Sequence, residues 1–178
     1  FPYGEDSLLP AQTMVESGNV VQAVDMLKST PYYETLAFAM KRYNVEQSLF
    51  PIEVALDLGY WRELWKTVMS LPTHDRAYAE KILGSLLDMN NLMWAIRYRV
   101  YHNLSEEEVI NYTLPFGYHV RDEDIRAIAA GADLAPIIKR LYPSFTGVDE
   151  LLADTRSGLP RLELKLERMI ADQCHACF

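Results

Sequence analysis

The sequence predicts an all-α fold from three observations. Apolar residues recur at three- and four-residue spacing, no Val/Ile/Thr-rich run alternates with period two, and helix-starting and helix-stopping residues punctuate the chain at short intervals. In chain order, residues 8–17 read as a first helix, halted by Gly18 and restarted at Asn19. A long helix is predicted over residues 45–70, where Phe50, Val54, Leu58, Trp61, Trp65 and Val68 or Met69 keep helical spacing; Pro51 kinks it or marks its first turn. Leu71-Pro72-Thr73 is a short link, with Thr73 as N-cap, that folds the next helix back antiparallel.

That next helix, over residues 73–103, carries the clearest signal. Ile82, Leu86, Met89, Met93, Ile96 and Val100 form one apolar stripe, and Leu83, Leu87, Trp94 and Tyr101 widen it. So broad a stripe needs cover from more than one side, which predicts a central position in the bundle. Ser105-Glu106-Glu107-Glu108 is a capping box opening a helix that ends near Thr113, before Pro115 and Gly117. Residues 122–130 form a short helix stopped by Gly131; Asp133 caps the following one, and Pro136 sits in its first turn. A terminal helix of about a dozen residues or more runs toward Cys174 and Cys177.

Composition narrows the function classes. A formal net charge of -8 and a pI near 5.0 give a surface field that repels phosphate backbones and anionic head groups, arguing against nucleic acid as a partner. The longest uncharged stretch, residues 109–120, contains Asn, Thr, Pro and Gly and falls short of the ~20 apolar residues that cross a bilayer, so no direct membrane span is expected. Two cysteines near one end do not make a disulfide framework, which suggests a reducing, cytoplasmic compartment. Neither end carries a helix or loop signal that closes a domain, and a fragment truncated on both sides is expected.

An internal repeat is also predicted. Phe1-Pro2-Tyr3-Gly4 matches Leu114-Pro115-Phe116-Gly117, and Gly18 then falls opposite Gly131 at the same offset. Val21, Val24 and Leu27 correspond to Leu134, Ile137 and Leu141, and Val45-Glu46 to Leu166-Glu167. Residues 1–72 then belong to one helical repeat and residues 73–178 to the next, incomplete at its C-terminus.

Catalytic chemistry finds little to stand on. Cys174-His175-Ala176-Cys177 has the spacing of a redox pair or half a zinc site, yet it ends a helix instead of starting one, and no second cysteine pair exists. His74, His102, His119 and His175 share no ligand spacing. Asp122, Asp124 and Glu106 to Glu108 sit at helix starts, where carboxylates cap free N–H groups before they act as acids or bases. Isolated glycines form neither GxGxxG nor a Walker A loop. No catalytic, cofactor or metal residue is therefore expected, and no cofactor. The polar residues on the central helix are more informative: Asp88, Asn91, Ala95, Arg99 and His102 lie close to one stripe. This reads as a polar seam joining helices, with a partner-facing strip as the alternative.

The segments Leu49-Phe50-Pro51-Ile52-Glu53-Val54-Ala55-Leu56-Asp57-Leu58-Gly59-Tyr60-Trp61, Glu63-Leu64-Trp65, residues 88–99 and Asn103-Leu104-Ser105-Glu106-Glu107 resemble the C subunit of the archaeal and bacterial V-type (A-type) ATPases, whose vacuolar counterpart is the d subunit. The resemblance extends through Leu114-Pro115-Phe116-Gly117 and covers the middle and later part of a family chain. It implies a pseudo-threefold, funnel-shaped arrangement of helical repeats. It also implies a non-catalytic rotor socket of the central stalk that receives the D and F subunits and sits on the membrane proteolipid ring, peripherally membrane-associated, coupling ATP turnover to proton or sodium transport. Asp88, Asn91 and Arg97 match the recurrent Asp-x-x-Asn-Leu and Arg pattern of each repeat, where Asp88 and Asn91 make the structural seam. Arg97, Tyr98 and Arg99 are the expected partner contacts. The competing readings are a free helical-repeat scaffold that binds proteins or peptides and a small metallo- or redox enzyme built on Cys174 and Cys177.

Overall fold

In the computed structural model the described residues are 9–102, 104–114 and 117–176, and all their regular structure is helical, with no strand among them. Expectations that involve Phe1 to Gly4, Leu8, Asn103, Pro115, Phe116 and Cys177 lie outside these residues. The chain divides into two compact units, Phe1–Tyr60 and Trp61–Phe178.

In the first unit, α1 (Ala11–Ser17) ends at Gly18 with φ 58°, and the Asn19 side chain accepts the N–H groups of Val21 and Gln22 at 2.9 and 3.3 Å to open α2 (Val20–Asp25). Helix α3 (Tyr33–Glu46) and the first half of α4 (Phe50–Met69) complete it. Val24, Leu27, Leu36, Ala39 and Ile52 make its buried cluster, with Leu9, Met14, Met40 and Tyr43 packed against them. The long helix expected from residue 45 starts later, and Val45 and Glu46 close α3 instead. Gln47 takes the left-handed conformation at φ 52° and donates its N–H to the Tyr43 carbonyl at 2.7 Å, which terminates one helix. Ser48 Oγ then accepts the Phe50 N–H at 3.2 Å and starts the next, leaving Pro51 in a first turn where its missing N–H costs nothing.

The second unit is organised around α5 (Thr73–Arg97), which runs into a π-helical turn over Tyr98–His102. Leu87, Leu92, Ala95 and Ile96 are completely shielded from solvent, as the broad stripe predicts for a central helix. Thr73 is the first helical residue and not the cap: Pro72, extended at ψ 147°, holds the cap position without a side-chain bond. Around α5 lie α6 (Glu106–Asn111), α7 (Asp122–Ala129), α8 (Leu134–Leu141), α9 (Val148–Leu152) and α10 (Thr155–His175). Helices α7 and α10 pack directly on α5, burying Ile125, Ile128, Leu159, Leu162 and Leu166. The reciprocal Ser105–Glu108 capping box opens α6 as expected, and Asp133 accepts the Ala135 N–H at 3.1 Å to open α8 after Gly131 at φ 95°.

Helix α10 carries Pro160 in its interior. Proline has no N–H for the carbonyl four residues back, here that of Arg156. The Tyr101 hydroxyl, from the π-helical turn, donates to the Arg156 carbonyl at 3.3 Å, and the Arg156 guanidinium stands 5.8 Å from the Tyr101 ring centre.

Candidate functional site

The most distinctive chemistry in the molecule is a buried polar clasp between α5 and the segment that follows α6. Gly84, Asp88 and Asn91 lie on one face of α5, four and three residues apart. Asp88 is wholly buried. Its Oδ1 accepts the backbone N–H groups of Tyr118 and Val120 at 2.8 and 3.0 Å, and its Oδ2 accepts that of His119 at 2.6 Å. One turn on, Asn91 Nδ2 donates to the Leu114 carbonyl at 2.9 Å while Oδ1 accepts the Leu114 N–H at 2.8 Å. That reciprocal pair copies the way one backbone bonds another, so a side chain on a helix holds an irregular segment as a strand neighbour would.

Two glycines make the approach possible. A Cβ on Gly117 would fall 2.3 Å from Asp88 Oδ1, and one on Gly84 would fall 2.9 Å from the Tyr118 ring. Burial pushes the Asp88 carboxyl above its ordinary range, and the three N–H donors with His119 pull against that rise without cancelling it. The Tyr142 hydroxyl is buried and without a hydrogen-bond partner among the described residues, and both burial and the nearby Asp88 charge hold its phenol far above its ordinary range.

Of the residues singled out from sequence, Asp88 and Asn91 are thus brought together on one segment. Arg97, Tyr98 and Arg99 turn to three different neighbours. Arg97 reaches Glu163 of α10 at 2.7 Å. Tyr98, 7% exposed, meets the Tyr112 ring edge-on at 6.0 Å. Arg99 donates to the carbonyls of Ala132, Ile128 and Gly131 at 2.8, 3.2 and 3.2 Å, closing the C-terminal end of α7. His102 lies edge-on to Tyr98 at 6.1 Å. Asp124, read from sequence as a helix-start residue, accepts the Arg121 N–H at 3.0 Å and pairs with Arg140.

The described residues contain no group of three or more His, Cys, Asp or Glu side chains placed to hold a metal ion, and no helix long and apolar enough to cross a membrane. Cys174 is half-buried. What sequence reasoning missed is the other half of the clasp. Gly84, a glycine interrupting the best helical stripe in the chain, was the available signal that another backbone or ring comes close there.

Comparison with known proteins then gives the arrangement a family. The chain is similar to the C subunit of the A-type ATP synthase of Methanothermobacter thermautotrophicus, 26% identical over 72% of this chain and 33% of that protein. It is likewise similar to the C subunit of Methanosphaera stadtmanae, 25% identical over 82% of this chain and 37% of that one, and to that of Methanocaldococcus jannaschii, 24% identical over 86% and 37%. The chain spans about a third of the length of these curated relatives. No solved structure matches significantly. The family model described as ATP synthase (C/AC39) subunit matches residues 1–178, and the chain belongs to that family.

Proposed function

We propose that the chain is part of the rotor-socket component of a V-type ATP synthase, linking the shaft made of the D and F subunits to the membrane proteolipid ring in ATP-coupled proton or sodium transport. In this reading it catalyses nothing itself and is held at the cytoplasmic membrane face through its partners. Residues 1–72 and 73–178 are successive copies of one helical repeat of a pseudo-threefold funnel. The exposed parts of Arg97 and Arg99 contribute to a partner face, while Tyr98 supports them from within.

Family membership supports this reading, and the observation that carries it is the use made of the buried polar groups. Asp88 and Asn91, the two most deeply buried polar side chains, bond backbone groups of a neighbouring segment and leave no acceptor or donor aimed at a substrate. Such bonds are directional and fix one arrangement of helices, which suits a part that transmits torque better than one that transforms a ligand. The test is native purification: the tagged full-length protein drawn from its own membranes brings down two stalk components and the proteolipid ring, and hydrolyses no ATP by itself. Its recovery alone, after gentle extraction that keeps the rest of the complex together, would refute the proposal.

A further inference from the structure

Six of the seven described glycines have a local reason to be glycine. Gly18, Gly131 and Gly147 take positive φ, and a Cβ on Gly84, Gly117 or Gly158 would collide with Tyr118, Asp88 or the Leu151 carbonyl. Gly59 has neither reason. Its φ is not positive, and a Cβ there would lie 3.4 Å from Thr35 Cγ2, an ordinary van der Waals contact. Yet it sits in the interior of the 20-residue α4, where glycine weakens a helix more than any residue except proline. The division between the two compact units falls one residue further on, after Tyr60, inside this unbroken helix. Packing changes at the same place. Ile52, Val54 and Leu58 are buried before Gly59, whereas among the described residues 60–69 only Val68 is.

We infer that α4 is a flexible joint that bends at Gly59 and lets the two units change their relative orientation. Glycine gives the backbone its widest freedom and leaves the neighbouring helical hydrogen bonds open to water, so the bonds that span residue 59 break more readily than those on either side. A helix held by three buried side chains before this point and by one after it yields there, because few contacts resist the bend. Hinges of this kind concentrate the backbone change in a few residues and leave the units on either side intact. The inference adds motion to the fold and stands whether or not the rotor-socket reading does.

The experiment uses the full-length protein with spin-labelled side chains at pairs of exposed positions, read as distance distributions by pulsed electron resonance. The pair Val15 and Leu164, one in each unit, is expected to give a broader distribution than Tyr78 and Leu164, both in the second unit. Gly59→Ala is expected to narrow the first distribution, leave the second unchanged, and slow hydrogen exchange at the amides of Tyr60 to Glu63 about fivefold. Adding Arg62→Gly, an exposed position one turn on, is expected to restore the breadth, which a role confined to packing against Thr35 would not do. If Gly59→Ala does not fold, Thr35→Ser in the same chain removes the methyl nearest the new Cβ and the measurement is repeated on that pair. A first distribution as narrow as the second in the unaltered protein, or one that Gly59→Ala leaves equally broad, overturns the joint.

Discussion

Residues 24–52 gather round a cluster made of aliphatic side chains alone, whereas the second unit sinks a carboxylate, an amide and a second carboxylate, Asp88, Asn91 and Asp124, among its helices. Both arrangements close short helices against a longer one, yet they hold in different ways. Apolar contact is non-directional, so the first cluster tolerates small rotations and substitutions of similar volume. The clasp of the second unit admits one register only, because three N–H groups must converge on a single carboxylate. The second unit is therefore the more sharply specified and the more vulnerable to a single change.

Asp88→Ala is the largest way to break that difference. It leaves three buried donors without an acceptor, and a loss of about 3–5 kcal/mol is expected in urea unfolding. Hydrogen exchange should quicken first at the amides of Tyr118, His119 and Val120, with those around Leu36 unchanged. If the Leu36 region loosens equally, the two units do not hold independently. Leu36→Ala is the reciprocal change, expected to cost about 2–4 kcal/mol through the cavity it leaves and to spare the clasp amides in the same measurement.

The smallest effect is in pH. Because burial raises the Asp88 carboxyl, the folded chain binds that proton more readily than the unfolded one, whose carboxyl titrates near 3.8. Stability contributed by this residue is therefore greatest below that value, falls as pH rises through the window up to the raised folded value, and is flat above it. Asp88→Asn removes the titration, so the difference between the two pH profiles should show this fall. A difference that grows in the opposite direction would mean that the three N–H donors outweigh burial.

Much of this was legible in the sequence. The apolar stripe of α5 announced both its length and its central place, and Ser105, Asn19 and Asp133 announced helix starts that the backbone uses. Asp88 and Asn91 stood out as polar positions on a helix otherwise reading as core, which marked a seam. Their counterpart could not be read, because the segment they hold lies between 23 and 32 residues downstream and supplies backbone groups, which any sequence has. The break at Gln47 gives no signal for a related reason: Val45 and Leu49 keep a four-residue apolar spacing across it, and Gln is an uncommon residue at a left-handed position. Arg97 and Arg99 were legible as unusual, but only coordinates reveal that one reaches α10 and the other the end of α7.

The proline inside α10 has a mechanical corollary. Its ring offers the Arg156 carbonyl no N–H, and Tyr101 supplies a donor from the π-helical turn that follows α5. A rotation of α5 about its own axis must then either carry the opening turn of α10 along or give up this surface bond to water. A local defect in one helix thereby becomes a stitch that lends torsional stiffness to two.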